Sequence, residues 1–159
     1  PISSPWGALA NLKYLYLDSN EIGDEGMAAF SKAIASGALA ELTFLDLSFN
    51  QIGDEGMKAF STTIASGALA NLIQLDLMGN PIGDEGMDAF SAAIASGAPL
   101  AKLEYLDLAG NQISDAGMVS FSEAITSGAL PKLSQVYVFG NPGNTMGVKE
   151  ACSARGILG

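Results

Sequence analysis

One block of about thirty residues is written five times along this chain, and that period constrains the fold more than any other feature. Leu12, Leu42, Leu72, Leu103 and Leu133 open equivalent blocks at steps of 30, 30, 31 and 30. The extra residue falls in Ala98-Pro99-Leu100-Ala101, where the other blocks read Ala-Leu-Ala or Ala-Leu-Pro. A unit this short cannot bury an apolar face by itself, so each copy must stack on its neighbours. The 159 residues then form one continuous stack with one core, not two ordinary domains.

Each block begins L-x-x-L-x-L-x-x-N: Leu12, Leu15, Leu17, Asn20; then Leu42, Leu45, Leu47, Asn50; Leu72, Leu75, Leu77, Asn80; and Leu103, Leu106, Leu108, Asn111. The fifth substitutes valine, with Leu133, Val136, Val138 and Asn141. Leu15 and Leu17 alternate with Tyr16, which is the two-residue period of a strand. Beyond the asparagine, Met27, Phe30 and Ile34 fall at i, i+3 and i+7, one face of a helix. Gly23 stands at the expected N-cap, and its counterpart in the fourth block is Ser114, a strong N-cap residue. Asp24 and Glu25 follow in the first turn, where the helix dipole favours carboxylates. Gly37 supplies the stop. The leucines are core. The asparagine row is expected to satisfy backbone groups in the turn that leaves each strand.

These blocks resemble the leucine-rich repeat family, in its long, ribonuclease-inhibitor-like class, over about residues 9–155. Their even spelling is similar to repeat proteins of unicellular algae and other protists. The resemblance implies an α/β fold: a right-handed solenoid in a short horseshoe arc, with a concave parallel sheet and convex helices. Ribonuclease inhibitors are rich in cysteine, whereas this chain has asparagine at the comparable turn position. The resemblance therefore implies the architecture and not a ribonuclease target. The expected organisation is a single domain over 1–159, with repeats at about 11–40, 41–70, 71–101 and 102–131 and a capping repeat at 132–159.

Composition narrows the function. Hydrophobic residues are 48 % and charged residues 15 %, the opposite of a disordered chain. Seventeen acids against seven bases leave a net charge of −10, which argues against nucleic acid or an anionic membrane as partner. No apolar run is long enough to span a bilayer. There is no histidine, hence no imidazole base or ligand. The single cysteine, Cys152, reads as a buried structural thiol and favours an intracellular setting over a secreted one. Asp18-Ser19-Asn20-Glu21-Ile22-Gly23 fails as a calcium loop, because Ile22 and Ala29 occupy ligand positions. Gly-Asp-Glu-Gly lacks the Lys-Ser/Thr of a phosphate loop. No catalytic residue, metal site or cofactor is assigned.

The informative positions are those between the leucines, which alternation directs onto the concave face. Three ladders result: Tyr14, Phe44, Gln74, Tyr105, Gln135; then Tyr16, Asp46, Asp76, Asp107, Tyr137; then Asp18, Ser48, Met78, Ala109, Phe139. They describe an acidic centre with aromatic flanks. Two like charges ~5 Å apart repel by about 3 kcal/mol at an effective dielectric of 20, a repulsion that a basic ligand relieves. Tyrosine, phenylalanine and methionine are residues of interface cores. The candidate partner-binding set is Tyr14, Tyr16, Asp18, Phe44, Asp46, Asp76, Met78, Tyr105, Asp107, Tyr137 and Phe139, and the expected partner is a basic protein. The competing reading is a solvated strand face on which aspartate was copied with the repeat. Paired aspartates at this spacing also match a retaining glycosidase, but an open face without His or Arg argues against catalysis.

The helices pose an alternative. Ser31, Ser61, Ser91 and Ser122 are expected to face outward on a convex surface whose few charges are Lys32, Lys58, Asp88 and Glu123. Such a surface would suit a subunit held inside a large assembly. At the ends, Lys149, Glu150 and Arg155 give the last helical segment, Asn144 to Arg155, a polar character suited to a cap. Pro1 stands where Met would begin a complete chain, Pro1 to Ala10 lacks the pattern of a signal peptide, and Trp6-Gly7-Ala8-Leu9-Ala10 aligns with the tail of a block, Ser36 to Ala40. The expectation is a longer solenoid cut short, or an open edge covered by Ile2 and Trp6.

Overall fold

The structure, a computed structural model, describes residues 7–159. After a 3-10 turn at Gly7–Leu9, strand and helix alternate five times. The order is β1 (Tyr14–Tyr16), α1 (Gly23–Ala35), β2 (Phe44–Asp46), α2 (Asp54–Ala65), β3 (Gln74–Asp76), α3 (Asp84–Ala95), β4 (Tyr105–Asp107), α4 (Asp115–Thr126), β5 (Gln135–Tyr137) and α5 (Met146–Ala154). The strands form one parallel sheet in sequence order. Its register places Tyr16, Asp46, Asp76, Asp107 and Tyr137 side by side. Strands of three residues are too short to stand alone. The leucines beyond them extend the ladder, as Leu17 N–H donates to Asp46 C=O and Leu47 N–H to Asp76 C=O, both at 2.9 Å.

Between sheet and helices lies a continuous apolar core. Leu45, Leu75 and Leu106 share it with Met57, Phe60 and Ile64 and their counterparts in α3 and α4, all buried. The asparagine row does what its position implies. Asn80 Nδ2 donates to Leu47 C=O at 3.1 Å and Leu77 C=O at 3.0 Å, while its Oδ1 accepts from Asn50 N–H and Ile52 N–H. The amides of Asn50, Asn80, Asn111 and Asn141 each tie two neighbouring turns, where an unpaired buried backbone group would cost about 1–3 kcal/mol, while Asn20 bonds only within its own turn.

The acids of the first helical turn serve a purpose that local reading missed. Asp54 Oδ1 accepts from Gly83 N–H and Gly86 N–H, both at 2.8 Å, across the gap to the next helix. Asp24 does the same for Gly53 and Gly56, and Asp84 for Ser114 and Gly117. Each aspartate caps the helix of the following repeat. Gly53, Gly83 and Ser114 are the N-cap residues expected. The Ser114 hydroxyl, however, donates to Asp84 and does not cap its own helix. Gly23 instead lies inside α1 with φ +63. Its N–H donates to Asn50 C=O at 2.9 Å and not to a carboxylate.

This capping requires close helices. A Cβ added at Gly86 would come 2.8 Å from Asp54 Oδ1 and 3.0 Å from Met57 Cβ. The same closeness corrects the expectation for the serines. Ser31, Ser61 and Ser91 are 3–5 % exposed, and Ser61 lines the seam between α2 and α3 with Ala89, Ala92 and Ala93. Each serine lies four residues after a buried methionine, on the same helical stripe. Of the four, only Ser122 is half exposed.

The last helix is shorter than expected, Met146–Ala154, because Asn144 takes the N-terminal role: its N–H donates to Asp115 and its Oδ1 accepts from Met146 N–H. Arg155 is half-buried and donates to the carbonyls of Ile125, Ala129 and Leu130. Leu158 forms a parallel bridge with Gln135 on the edge of β5. Cys152 is buried, and that burial pushes its thiol pKa up. At the other end, Leu12, Leu15, Leu17, Ile22 and Phe30 are only partly buried. Ile2 and Trp6, expected to cover that edge, lie outside the described residues. Among the described residues no helix is long and apolar enough to cross a membrane.

Candidate partner-binding face

The parallel register turns three sequence positions into three rows. Every residue of the candidate set lies on or beside the sheet face that points away from the helices. Tyr14 and Tyr16 are 62 % and 63 % exposed, and Phe139 is 60 % exposed. Phe44, Asp46, Asp76, Met78, Tyr105 and Tyr137 are half-buried, and Asp18 is exposed beyond β1. Three positions depart from the expected outward row: Ser48, Ala109 and Asp107 are buried, with Asp107 at 7 % exposure. The concave face is therefore most open over β1 to β3 and partly filled over β4.

The aromatics form two clusters. Phe44 lies 6.3 Å from Tyr14 and 4.7 Å from Tyr16, ring to ring. Tyr137 lies 5.5 Å from Tyr105 and 6.2 Å from Phe139, the latter edge-on. Asp76 stands on the strand between the clusters, with Asp46 and Asp107 beside it.

Each of these aspartates also has a local task. Asp46 Oδ1 accepts from Ser48 N–H at 2.9 Å and from the Ser48 hydroxyl at 2.6 Å. Asp76 Oδ1 accepts from Met78 N–H and Asp107 Oδ1 from Ala109 N–H. This is the side-chain-to-backbone turn that aspartate makes two residues on, and it gives the row a structural reason that strand alternation does not reveal.

The row is nonetheless electrostatically uncomfortable. Burial raises Asp76 from 3.8 to about 6; the Met78 N–H opposes this, and the charges of Asp107, Asp46 and Asp18 add to it. Burial likewise pushes Asp107 up, against the pull of Ala109 N–H and the Tyr105 hydroxyl. Tyr105, sheltered and facing Asp107 and Asp76, is pushed up to about 12. The ion pairs among the described residues join Lys58 to Glu55 and Glu85 on the helical side, so no cation compensates this row.

Two exposed side chains on the rim escaped the sequence reading. Phe49 holds a left-handed φ of +55 where later blocks have Gly79, Gly110 and Gly140. Its ring covers Gly79 so closely that a Cβ there would lie 2.4 Å from it. A phenylalanine where the first block has Ser19 and the later three have glycine was the available signal. Ile73 borders a depression of about 160 Å³ with Tyr14, Thr43, Phe44 and Gln74. Two larger hollows, about 460 Å³ each, run between the helices: that between α2 and α3 is walled mainly by Ala, Ser and Thr, and that between α1 and α2 by Asp24, Glu25, Glu55 and Lys58 with small residues.

Comparison with known proteins agrees with this architecture. The leucine-rich repeat family model matches residues 8–31, 41–61, 68–91 and 100–122. A solved structure of leiomodin-1 actin-binding site 2 superposes with a TM-score of 0.66 at 14 % identity, covering 97 % of this chain and 90 % of its own. No curated protein matches the chain.

Proposed function

Because the chain belongs to the leucine-rich repeat family, a family of protein-interaction modules, we propose that it is a non-catalytic module that docks a basic protein partner on its concave face. The row Tyr16–Asp46–Asp76–Asp107–Tyr137 carries this reading. It sets uncompensated carboxylates between exposed aromatics, and complementary charge steers and orients partners more than it adds raw affinity. The aromatics supply contact area. The leiomodin-1 structure of similar fold is named for actin binding, which supports protein interaction as the mode of action; at 14 % identity actin itself is not carried over.

The opposite reading, a subunit held in an assembly by its helical side, rested on outward-facing serines and on a surface with few charges; the burial of Ser31, Ser61 and Ser91 removes the first of these grounds.

Affinity capture from native extract at low and high salt tests the proposal. The expected result is a basic protein retained by the chain, released by salt, and lost when Asp46 and Asp76 are both changed to Asn. Capture that survives both salt and the double substitution would overturn it.

A further inference from the structure

The concave face has an order as well as a charge. The first aromatic cluster is Tyr14, Phe44 and Tyr16, on β1 and β2; the second is Tyr105, Tyr137 and Phe139, on and just beyond β4 and β5. Between them the three aspartates are not equivalent. Asp107 is buried and its Oδ2 lies 3.5 Å from the Tyr105 hydroxyl. Asp46 and Asp76 are half exposed and register-paired on adjacent strands. Both bind their own turns through Oδ1 alone. Among the described residues nothing donates to the Oδ2 of either.

Two free carboxylate oxygens on neighbouring strands, ~4.8 Å apart at the backbone, suit a planar guanidinium. Its forked N–H groups reach two acceptors at once, whereas an ammonium offers one compact charge. From Tyr16 to Tyr137 is four strand steps, about 19 Å between backbones. Side chains converge over a concave surface, so an extended segment crosses this span with no more than about six residues.

We propose that the partner segment crosses the strands and carries an arginine between two apolar side chains, the arginine bridging Asp46 and Asp76 while the apolar groups rest on the two aromatic clusters. This rests on the concave-face reading above and specifies its partner. The titratable groups that face Asp76 from the other strands are Asp18, Asp46, Asp107 and the phenol of Tyr105. None is cationic, so the arriving guanidinium is the only positive charge in the site.

Selection of a random peptide library against the full chain tests this. The expected winners carry arginine flanked on both sides by apolar residues. A synthetic winner should lose about tenfold in affinity on Arg→Lys exchange, and a similar factor on Asp76→Asn in the chain. Asn retains an acceptor for Met78 N–H, so the variant should fold, as its circular dichroism will show. Winners that are basic but lack flanking apolar residues, or that bind equally well with lysine, would overturn this inference and leave the docking proposal standing. Winners indifferent to Asp76→Asn and Asp46→Asn, or no winners at all, would overturn both.

Discussion

Two rows of aspartates run along this solenoid, four on the helical side and three on the sheet, and they behave oppositely. Asp24, Asp54, Asp84 and Asp115 face the backbone N–H groups that start the next helical segment, where bonds and dipole both welcome negative charge. Asp84 is accordingly lowered below its ordinary value, chiefly by the Ser114 hydroxyl. Asp46, Asp76 and Asp107 face one another across the sheet. There burial and mutual repulsion lift Asp76 to about 6. Residue type and period are the same, and only the surroundings differ. A repeated acid is therefore no sign of a ligand by itself. A repeated acid left without positive charge is the informative case.

The comparison can be broken hardest through the seam that brings the capping row within reach. Ser61→Leu forces side-chain volume between α2 and α3 and should destabilise the chain by about 3 kcal/mol in urea unfolding. A loss under about 0.5 kcal/mol would mean that the seam is loose. Next comes the capping row itself. Asp54→Ala leaves Gly83 N–H and Gly86 N–H without their acceptor, an expected loss of about 2 kcal/mol.

The concave row should respond with the opposite sign. Because the folded-state pKa of Asp76 is raised, the folded protein holds a proton that the unfolded chain releases. Stability therefore falls as pH rises from 3.8 towards about 6 and stays lower above it. Asp76→Asn should then stabilise the protein at pH 7 by about 1 kcal/mol, a figure reduced for the partial exposure of the group. That advantage should vanish near pH 4, as parallel unfolding curves at the two pH values will show. A destabilised Asp76→Asn would make the row purely structural. The smallest effect belongs to Ser114→Ala. It removes the main cause of the lowered Asp84 pKa, so the Asp84 titration followed by NMR should move up. The stability lost is about 0.5 kcal/mol. This contribution is present above the ordinary carboxylate pKa and fades as pH falls through the folded one.

Much of this was legible in the chain. The strands, the helices, the leucine core and the asparagine ladder all follow from local spacing, since alternation and the 3.6-residue period are properties of the chain itself. The aromatic flanks were legible for the same reason. The serine row was misread although its signal was present: Ser31 lies four residues after Met27, hence on the buried stripe. The capping of Gly83 and Gly86 by Asp54 was not legible, because it joins residues 29 and 32 positions apart that only stacking brings together. Nor was the burial of Asp107 and Ala109 beside outward-facing neighbours, which depends on how rings from adjacent strands fill a curved surface.

Sequence alone determined the period, the element types and which residues share a face, because backbone geometry dictates where each side chain points. Tertiary structure alone decided which acids are satisfied and which are left in tension. An aspartate's charge state is set by the donors, charges and water within a few ångströms of it, and in this protein most of those neighbours come from another repeat, about thirty residues away in the chain.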